Sequence, residues 1–178
     1  MKAMIIGLIS DTHGELSPRI CGIFENVDYI VHAGDVGDPG IIAELSAIAP
    51  LTCVRGNSDR GLLLEKLPVV ASLETSVGLL AVTHYQPRGL PPFTLEGLAE
   101  SPAIVVFGHT HFPKVLIDEN VVLINPGAAL YGRGAPPTVA ILTIDEDSKI
   151  TTEYFNVLTG TVFPVSTSLR HGDKIRDH

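Results

Sequence analysis

Two aspartates, one asparagine and four histidines recur as the polar ends of five short segments: Ile9-Ser10-Asp11-Thr12-His13-Gly14, Val31-His32-Ala33-Gly34-Asp35, Val54-Arg55-Gly56-Asn57-Ser58-Asp59, Val82-Thr83-His84 and Val106-Phe107-Gly108-His109-Thr110-His111. Oxygen and nitrogen donors with no thiolate suit hard or borderline divalent ions such as Mn, Fe, Zn or Co, and do not suit copper(I) or an iron–sulfur cluster. Seven donors exceed what one ion takes. Two ions sharing a carboxylate would use them all, and a pair about 3.5–4 Å apart is a recurrent device for in-line displacement at phosphorus. Any one element is equally well explained as a hydrogen-bonded strand end. Jointly, that explanation would need seven independent accidents in one layer of the fold.

The elements that must position these residues are apolar runs. Met4–Ser10, Tyr29–His32, Leu51–Arg55, Leu79–His84 and Ile104–Gly108 are each about 4–7 residues long and close on glycine or a polar residue, which predicts buried strands. Sites gather at the carboxyl ends of strands in α/β sheets, so these five consecutive ends should meet at one pocket. Pro39–Ala49 has helical spacing with a proline at its start, as does the shorter stretch Thr94–Glu100. After Val115 the pattern is strand-only: Val115–Ile117, Val121–Asn125, Thr138–Ile144 and Ile150–Phe155, separated by turn-like acidic clusters. That suits antiparallel hairpins. The expected fold class is therefore α/β, two packed β-sheets flanked by helices. Gln86–Pro92 and Asn125–Pro137, rich in proline and glycine, read as loops.

At 178 residues and 45% apolar the chain can bury one core, read as a single domain over residues 1–169 with a charged tail over 170–178. A net charge of −8 excludes general nucleic-acid binding. The mean hydropathy is +0.30, yet no run reaches the roughly 18 apolar residues of a membrane-spanning helix. Lys2 and the short apolar run after it lack the cleavage site of a signal peptide. Cys21 and Cys53 form no metal-binding or disulfide pattern and are read as unpaired thiols with no catalytic part, which makes a reducing cytoplasm the expected compartment.

In order, Asp11-Thr12-His13, Gly34-Asp35, Gly56-Asn57-Ser58-Asp59, His84 and Gly108-His109-Thr110-His111 resemble the signature D-x-H, GD, GN-x-[DE], H, GH-x-H of the calcineurin-like metallophosphoesterases. The short length is similar to their small single-domain phosphodiesterase branch, itself similar in fold to the retromer scaffold subunit. The resemblance implies two mixed β-sheets sandwiched between helices. It also implies that Asp11, His13 and His111 hold one divalent ion, that Asn57, His84 and His109 hold another, and that Asp35 bridges them. Manganese is the first expectation for the metal, with nickel, cobalt, iron or zinc as alternatives. The implied reaction is hydrolysis of phosphodiesters or activated phosphate esters by in-line attack of a hydroxide held between the ions, with Asp35, Asn57 and His109 as the catalytic residues. The implied partner is a small phosphate ester, with no membrane; a homo-oligomer is left open.

Ser58 stands where many members have a histidine that protonates the leaving oxygen, and serine is a poor acid near neutrality. Ser58 and Arg133 are the candidate substrate contacts. Asn125-Pro126-Gly127 resembles the family's NPGS loop with Ala128 in place of serine, and Arg133, six residues after that glycine, is either a phosphate clamp or a solvated loop residue. His32 is read as a packed or supporting histidine, and Tyr85 and Phe93 as packing residues with aryl stacking as the second reading. The competing function is a non-catalytic metal-binding scaffold of the same fold. A redox dimetal protein would carry more carboxylates, usually on the helices of a bundle.

Overall fold

A computed structural model describes residues 2–86, 101–118, 120–165 and 167–169. In chain order the elements are β1 (Met4–Ile9), α1 (Pro18–Ile23), β2 (Tyr29–His32), α2 (Pro39–Ser46), β3 (Leu51–Cys53), α3 (Leu62–Lys66), β4 (Val70–Thr75), β5 (Gly78–Thr83), β6 (Ile104–Val106), β7 (Lys114–Asp118), β8 (Val121–Asn125), β9 (Thr138–Ile144), β10 (Ile150–Asn156), β11 (Val162–Phe163) and β12 (Thr167–Leu169). They build two six-stranded mixed sheets, ordered β11-β10-β9-β1-β2-β3 and β12-β7-β8-β6-β5-β4. The expected architecture is the one observed.

Side-chain alternation explains the layering. Ile6 and Leu8 of β1 point into the space between the sheets, where they meet Leu80 and Val82 of β5, Ile104 and Val106 of β6, Ile124 of β8 and Leu142 of β9. Ile9, on the other face of β1, packs with Ile20 of α1 and with Ile41 and Leu45 of α2. Burial on both faces turns β1 into an unbroken apolar run instead of an alternating one. The two longer helices start on matching signals: Ser17 and Asp38 cap them by accepting from Arg19 N and Gly40 N, and Pro18 and Pro39 follow as first helical residues.

Three expectations need correction. The strand ends are not consecutive and do not lie in one layer: β1, β2 and β3 belong to the first sheet, β5 and β6 to the second, and β4 intervenes. Four of the five strands, all but Tyr29–His32, also stop one or two residues early, so Ser10, His84 and Gly108 lie in the loops that follow, and α2 ends at Ser46, not at Ala49. The two hairpins expected after Val115 form, β7 with β8 and β9 with β10, but they enter different sheets. The helix expected at 94–100, most of the loop expected at 86–92, Phe93 and the tail at 170–178 lie outside the described residues. Among the described residues no helix is long and apolar enough to cross a membrane.

Candidate metal centre

The loops after β1 and β2 are joined before any ligand chemistry is considered. Asp11 N donates to Gly34 O (3.0 Å), His13 N to Asp35 O (3.0 Å) and Gly14 N to Val36 O (2.8 Å). The loop after β3 is tied in by Asp59, fully buried, whose two oxygens accept from Gly37 N and Gly56 N, each at 2.8 Å. The second sheet joins through His84 Nδ1, 2.8 Å from Ala33 O, and His109 N, which donates to Asp11 Oδ2 (3.1 Å), while its own loops are held by Gly108 N, which donates to His84 O (3.0 Å), and by Asn125, whose Nδ2 donates to Gly108 O (2.8 Å) and Thr110 Oγ1 (3.0 Å). Close approach requires glycine at two points. A Cβ on Gly56 would overlap the Asp35 carboxylate, and one on Gly108 would overlap the Ser10 hydroxyl.

Backbone conformation then aims the side chains. Among the described residues six non-glycines have positive φ, and five are Asp11 (55°), His13 (49°), Asp35 (54°), His109 (66°) and His111 (58°). Each is sterically unfavourable for an L-residue, and such strain collects at functional sites.

One cluster is made by Asp11, His13 and His111. His111 Nε2 lies 3.2 Å from Asp11 Oδ1 and 3.2 Å from His13 Nε2, and His13 Nε2 is 3.9 Å from the same Asp11 oxygen. Asp11 Oδ2 is occupied, accepting from Ser10 Oγ (2.7 Å) and His109 N (3.1 Å), whereas Oδ1 is buried with no donor. His111 Nδ1 donates to the Tyr131 carbonyl (2.7 Å), so in the neutral ring Nε2 carries a lone pair. The other cluster repeats this logic. His84 Nδ1 donates to the Ala33 carbonyl (2.8 Å), so Nε2 turns a lone pair toward Asp35 Oδ2 (3.4 Å) and Asn57 Oδ1 (3.1 Å), and His109 Nδ1 is 2.8 Å from that same Asn57 oxygen. Asp11, Asp35 and His84 offer atoms within 4.8 Å of one another and connect the two. All seven residues singled out in the sequence are thus brought to one place, where the two sheets meet.

Acceptors facing acceptors repel unless positive charge sits between them, and the buried, unpartnered Asp11 Oδ1 shows the same deficit. Protons respond to it. Burial alone would lower the His84 pKa, but the hydrogen bond to Asp35 and the charges of Asp11 and Asp35 outweigh it and raise the value. The Asp11 carboxylate raises His111. Burial would raise Asp35, yet His84 and Ser58 hold it well below the ordinary carboxylate range. Burial and the neighbouring His84 lower His109, which sits at the exposed rim. The donors and their unmet charge fit divalent cations.

The remaining candidates surround this core. Ser58 N donates to Asp35 Oδ1 (2.8 Å), and its Oγ is 3.4 Å from His13 Nδ1. Arg133 is exposed, and its N–H donates to the His111 carbonyl (3.2 Å), which places it on the rim beside the histidines. Tyr85 packs its ring against His109, centroids 4.8 Å apart, and against His84 at 5.3 Å. His32 is fully buried behind the centre, accepting from Gly34 N at Nδ1 (3.2 Å) and bonded to Thr12 Oγ1 at Nε2 (2.9 Å). Sequence reasoning missed three residues that hold the loops, namely Ser10, Asp59 and Asn125. Asp59, inside the GN-x-D segment, and Asn125, inside the Asn125-Pro126-Gly127 segment, had a local signal, and Ser10 had none. Cys21 and Cys53 are free thiols, and burial pushes Cys53 up to about 12. A cavity of about 620 Å³ lined by Ile5, Arg19, Ile23, Val27 and Thr143 contains none of the seven residues.

Residues 4–147 match the calcineurin-like phosphoesterase superfamily domain. A probable metallophosphoesterase of Methanothermobacter thermautotrophicus is 37% identical over 150 residues, covering 80% of this chain and 87% of the relative. A phosphodiesterase of Methanocaldococcus jannaschii is 30% identical over 161 residues, covering 80% and 95%. Among solved structures, vacuolar protein sorting 29 from Cryptosporidium parvum superposes with a TM-score of 0.74 at 19% identity, covering 92% of this chain and 96% of that one, a likeness of fold.

Proposed function

The chain belongs to the calcineurin-like phosphoesterase superfamily, and from that premise we propose that it is a phosphoesterase that holds two divalent ions and hydrolyses phosphodiesters or activated phosphate esters. One observation carries the reading: two sets of ligand-type atoms, Asp11/His13/His111 and Asn57/His84/His109, converge on either side of Asp35, and the buried Asp11 Oδ1 among them has no hydrogen-bond partner. Bound divalent ions supply charge neutralisation and the nucleophile for displacement at phosphorus. The chain's own residues then have distinct tasks. Asp35 gives Oδ1 to Ser58 N, so its Oδ2 is the atom left to bridge. Asn57 offers a neutral oxygen. Arg133, a cation on the rim beside His109 and His111, orients the anionic ester.

Ser58 decides the substrate class. With serine where protonation of the leaving oxygen is otherwise supplied, good leaving groups are favoured, and the relative named a phosphodiesterase supports the same choice. The all-N/O donor set supports manganese, with nickel, cobalt, iron or zinc as substitutes. Two unpaired thiols support a reducing cytoplasm. The test strips the protein with a chelator, reloads it with Mn, Ni, Co, Mg or Zn, and measures bound metal and hydrolysis of bis(p-nitrophenyl) phosphate, p-nitrophenyl phosphate and alkyl esters. Two ions per chain and a steep dependence on leaving-group acidity are expected. A single ion at saturation refutes the bridged pair. A scaffold role, favoured by Ser58 and by the likeness to vacuolar protein sorting 29, predicts two ions and no turnover of any ester.

A further inference from the structure

We propose that the cavity beside His111 is the subsite for the organic group that stays on phosphorus, and that it takes a planar aromatic group, with Phe112 as its stacking face. This assignment rests on the phosphoesterase reading of the metal centre. The cavity, about 350 Å³, is lined by Phe112, Pro113, Lys114, Gly134, Ala135 and Phe163. It begins where the metal centre ends: Phe112 directly follows His111, and Gly134 directly follows Arg133. An apolar cavity of about 150 Å³ already holds a benzene ring, so there is room for one aromatic ring and its substituents. The leaving oxygen belongs on the other flank. Ser58, where its protonation is otherwise supplied, follows β3 at one edge of the first sheet, whereas Phe163 lies on β11 at the opposite edge.

The walls are fixed to the loop that carries His109 and His111. β7 runs antiparallel to β8 with Lys114 opposite Asn125, whose Nδ2 holds Gly108 and Thr110 of that loop. His111 Nδ1 donates to Tyr131 O (2.7 Å) and Arg133 N donates to His111 O (3.2 Å), so the segment leading to Gly134 and Ala135 is pinned to a candidate ligand at two points. That segment is tightly turned, since a Cβ on Gly132 would overlap the Ala135 carbonyl oxygen. Phe163 is tied in through Tyr154, its register partner on β10, whose hydroxyl lies 3.0 Å from Lys114 O and 3.1 Å from Asn125 O. The lining selects the group. Phe112 is 48% exposed, and it and Tyr131 are the two exposed aromatic side chains among the described residues, both in segments joined to His111. Two phenylalanines in one cavity favour a ring that stacks on them or meets them edge-on over an alkyl group. Lys114 donates to Gln86 Oε1 (2.8 Å) and sits 5.5 Å from the centroid of the Phe107 ring, so its charge is held by those partners.

Two esters with the same leaving group isolate the subsite. In bis(p-nitrophenyl) phosphate and methyl p-nitrophenyl phosphate, water forms the new P–O bond and p-nitrophenolate departs, leaving a p-nitrophenyl or a methyl monoester respectively. In Mn-loaded protein Phe112→Ala should lower the ratio of kcat/KM for the first ester over the second by about 10-fold, chiefly through KM, the scale of one ring stacked on an aromatic side chain. Ala135→Leu, which fills the cavity with Phe112 in place, should lower it too, and Phe112→Tyr, which keeps the ring, should hold it. An unchanged ratio in Phe112→Ala, including an equal loss on both esters, overturns the subsite. Calorimetry gives a reading free of turnover: phenylphosphonate should bind the unmodified protein about 10-fold more tightly than methylphosphonate, and Phe112→Ala should abolish the preference. No turnover of either ester with that preference intact refutes the phosphoesterase reading and leaves the subsite standing. Absence of the preference in the unmodified protein overturns the subsite whatever the turnover.

Discussion

Asp35 contributes one oxygen to a backbone N–H and the other to a space shared by both histidine clusters, a geometry that separates it from Asn57 in what its loss should do. A carboxylate between two dications offsets the repulsion of both, whereas a carboxamide gives one neutral donor to one of them. Asp35→Asn keeps the size and the acceptor for Ser58 N but removes the charge. It should release at least one ion and reduce hydrolysis by about 100-fold or more, the scale of losing an electrostatic contact to the reacting centre. Asn57→Ala should retain at least one ion and lose less. Metal content by elemental analysis, measured beside activity, checks the order, and an Asp35→Asn variant that keeps both metals and most activity refutes the bridge. All seven candidate ligands were legible in the sequence because donor type survives without coordinates. Their supports were less so: a buried serine such as Ser10 or a strand-end asparagine such as Asn125 shows its role only through a partner, Ala33 or Gly108, that is distant in sequence and near in space.

At the scale of elements, strands buried on both faces announced themselves as apolar runs, while the missed elements lacked that signature. β4 alternates between half-buried and exposed residues at the edge of its sheet, and α1 and α3, at six and five residues, are too short to display a helical period. The hand-over from strand to ligand was also invisible, since positive φ at Asp11, His13, Asp35, His109 and His111 is a property of the backbone path. That path has a measurable consequence at His109, whose side chain is exposed at the rim. Alanine there keeps the strained conformation and glycine relieves it. His109→Gly should therefore be more stable than His109→Ala by about 1 kcal/mol in metal-free protein, the left-handed penalty less the backbone entropy of glycine. Urea unfolding of both variants measures the difference. Both should lose hydrolysis alike, so equal stability would show that the φ of 66° carries no strain.

For the whole molecule, the centre sits where the carboxyl ends of strands from two different sheets meet. No local pattern could reveal this, because hydrophobic periodicity identifies a strand but not the sheet it joins. The junction has its own buried titratable group in His32, at the end of β2. Gly34 N donates to its Nδ1, so the ring proton is on Nε2 and goes to Thr12 Oγ1, whose hydroxyl donates to Val36 O (2.9 Å). Every position is filled by the neutral ring, and burial lowers its pKa to about 4 against the charges of Asp11, Asp59 and Asp35. Below pH 6.5 the unfolded chain takes up a proton that the native chain refuses until about pH 4, so stability is full above 6.5, falls across that window and levels off below it. The shift corresponds to about 3 kcal/mol. In metal-free protein His84 and His111, both raised, act oppositely, gaining stability as they bind protons, so the unmodified curve alone mixes the signs. The difference between the unmodified protein and His32→Gln, which keeps a donor toward Thr12 without titrating, removes their contribution. Urea midpoints at pH 7.5, 5.5 and 4 should show His32→Gln less stable at the highest pH and overtaking, or closing most of the gap, at the lowest. A difference that stays constant with pH would mean that His32 takes up its proton in the native state as readily as in the unfolded chain, and the assignment of Nδ1 as acceptor from Gly34 N would fall.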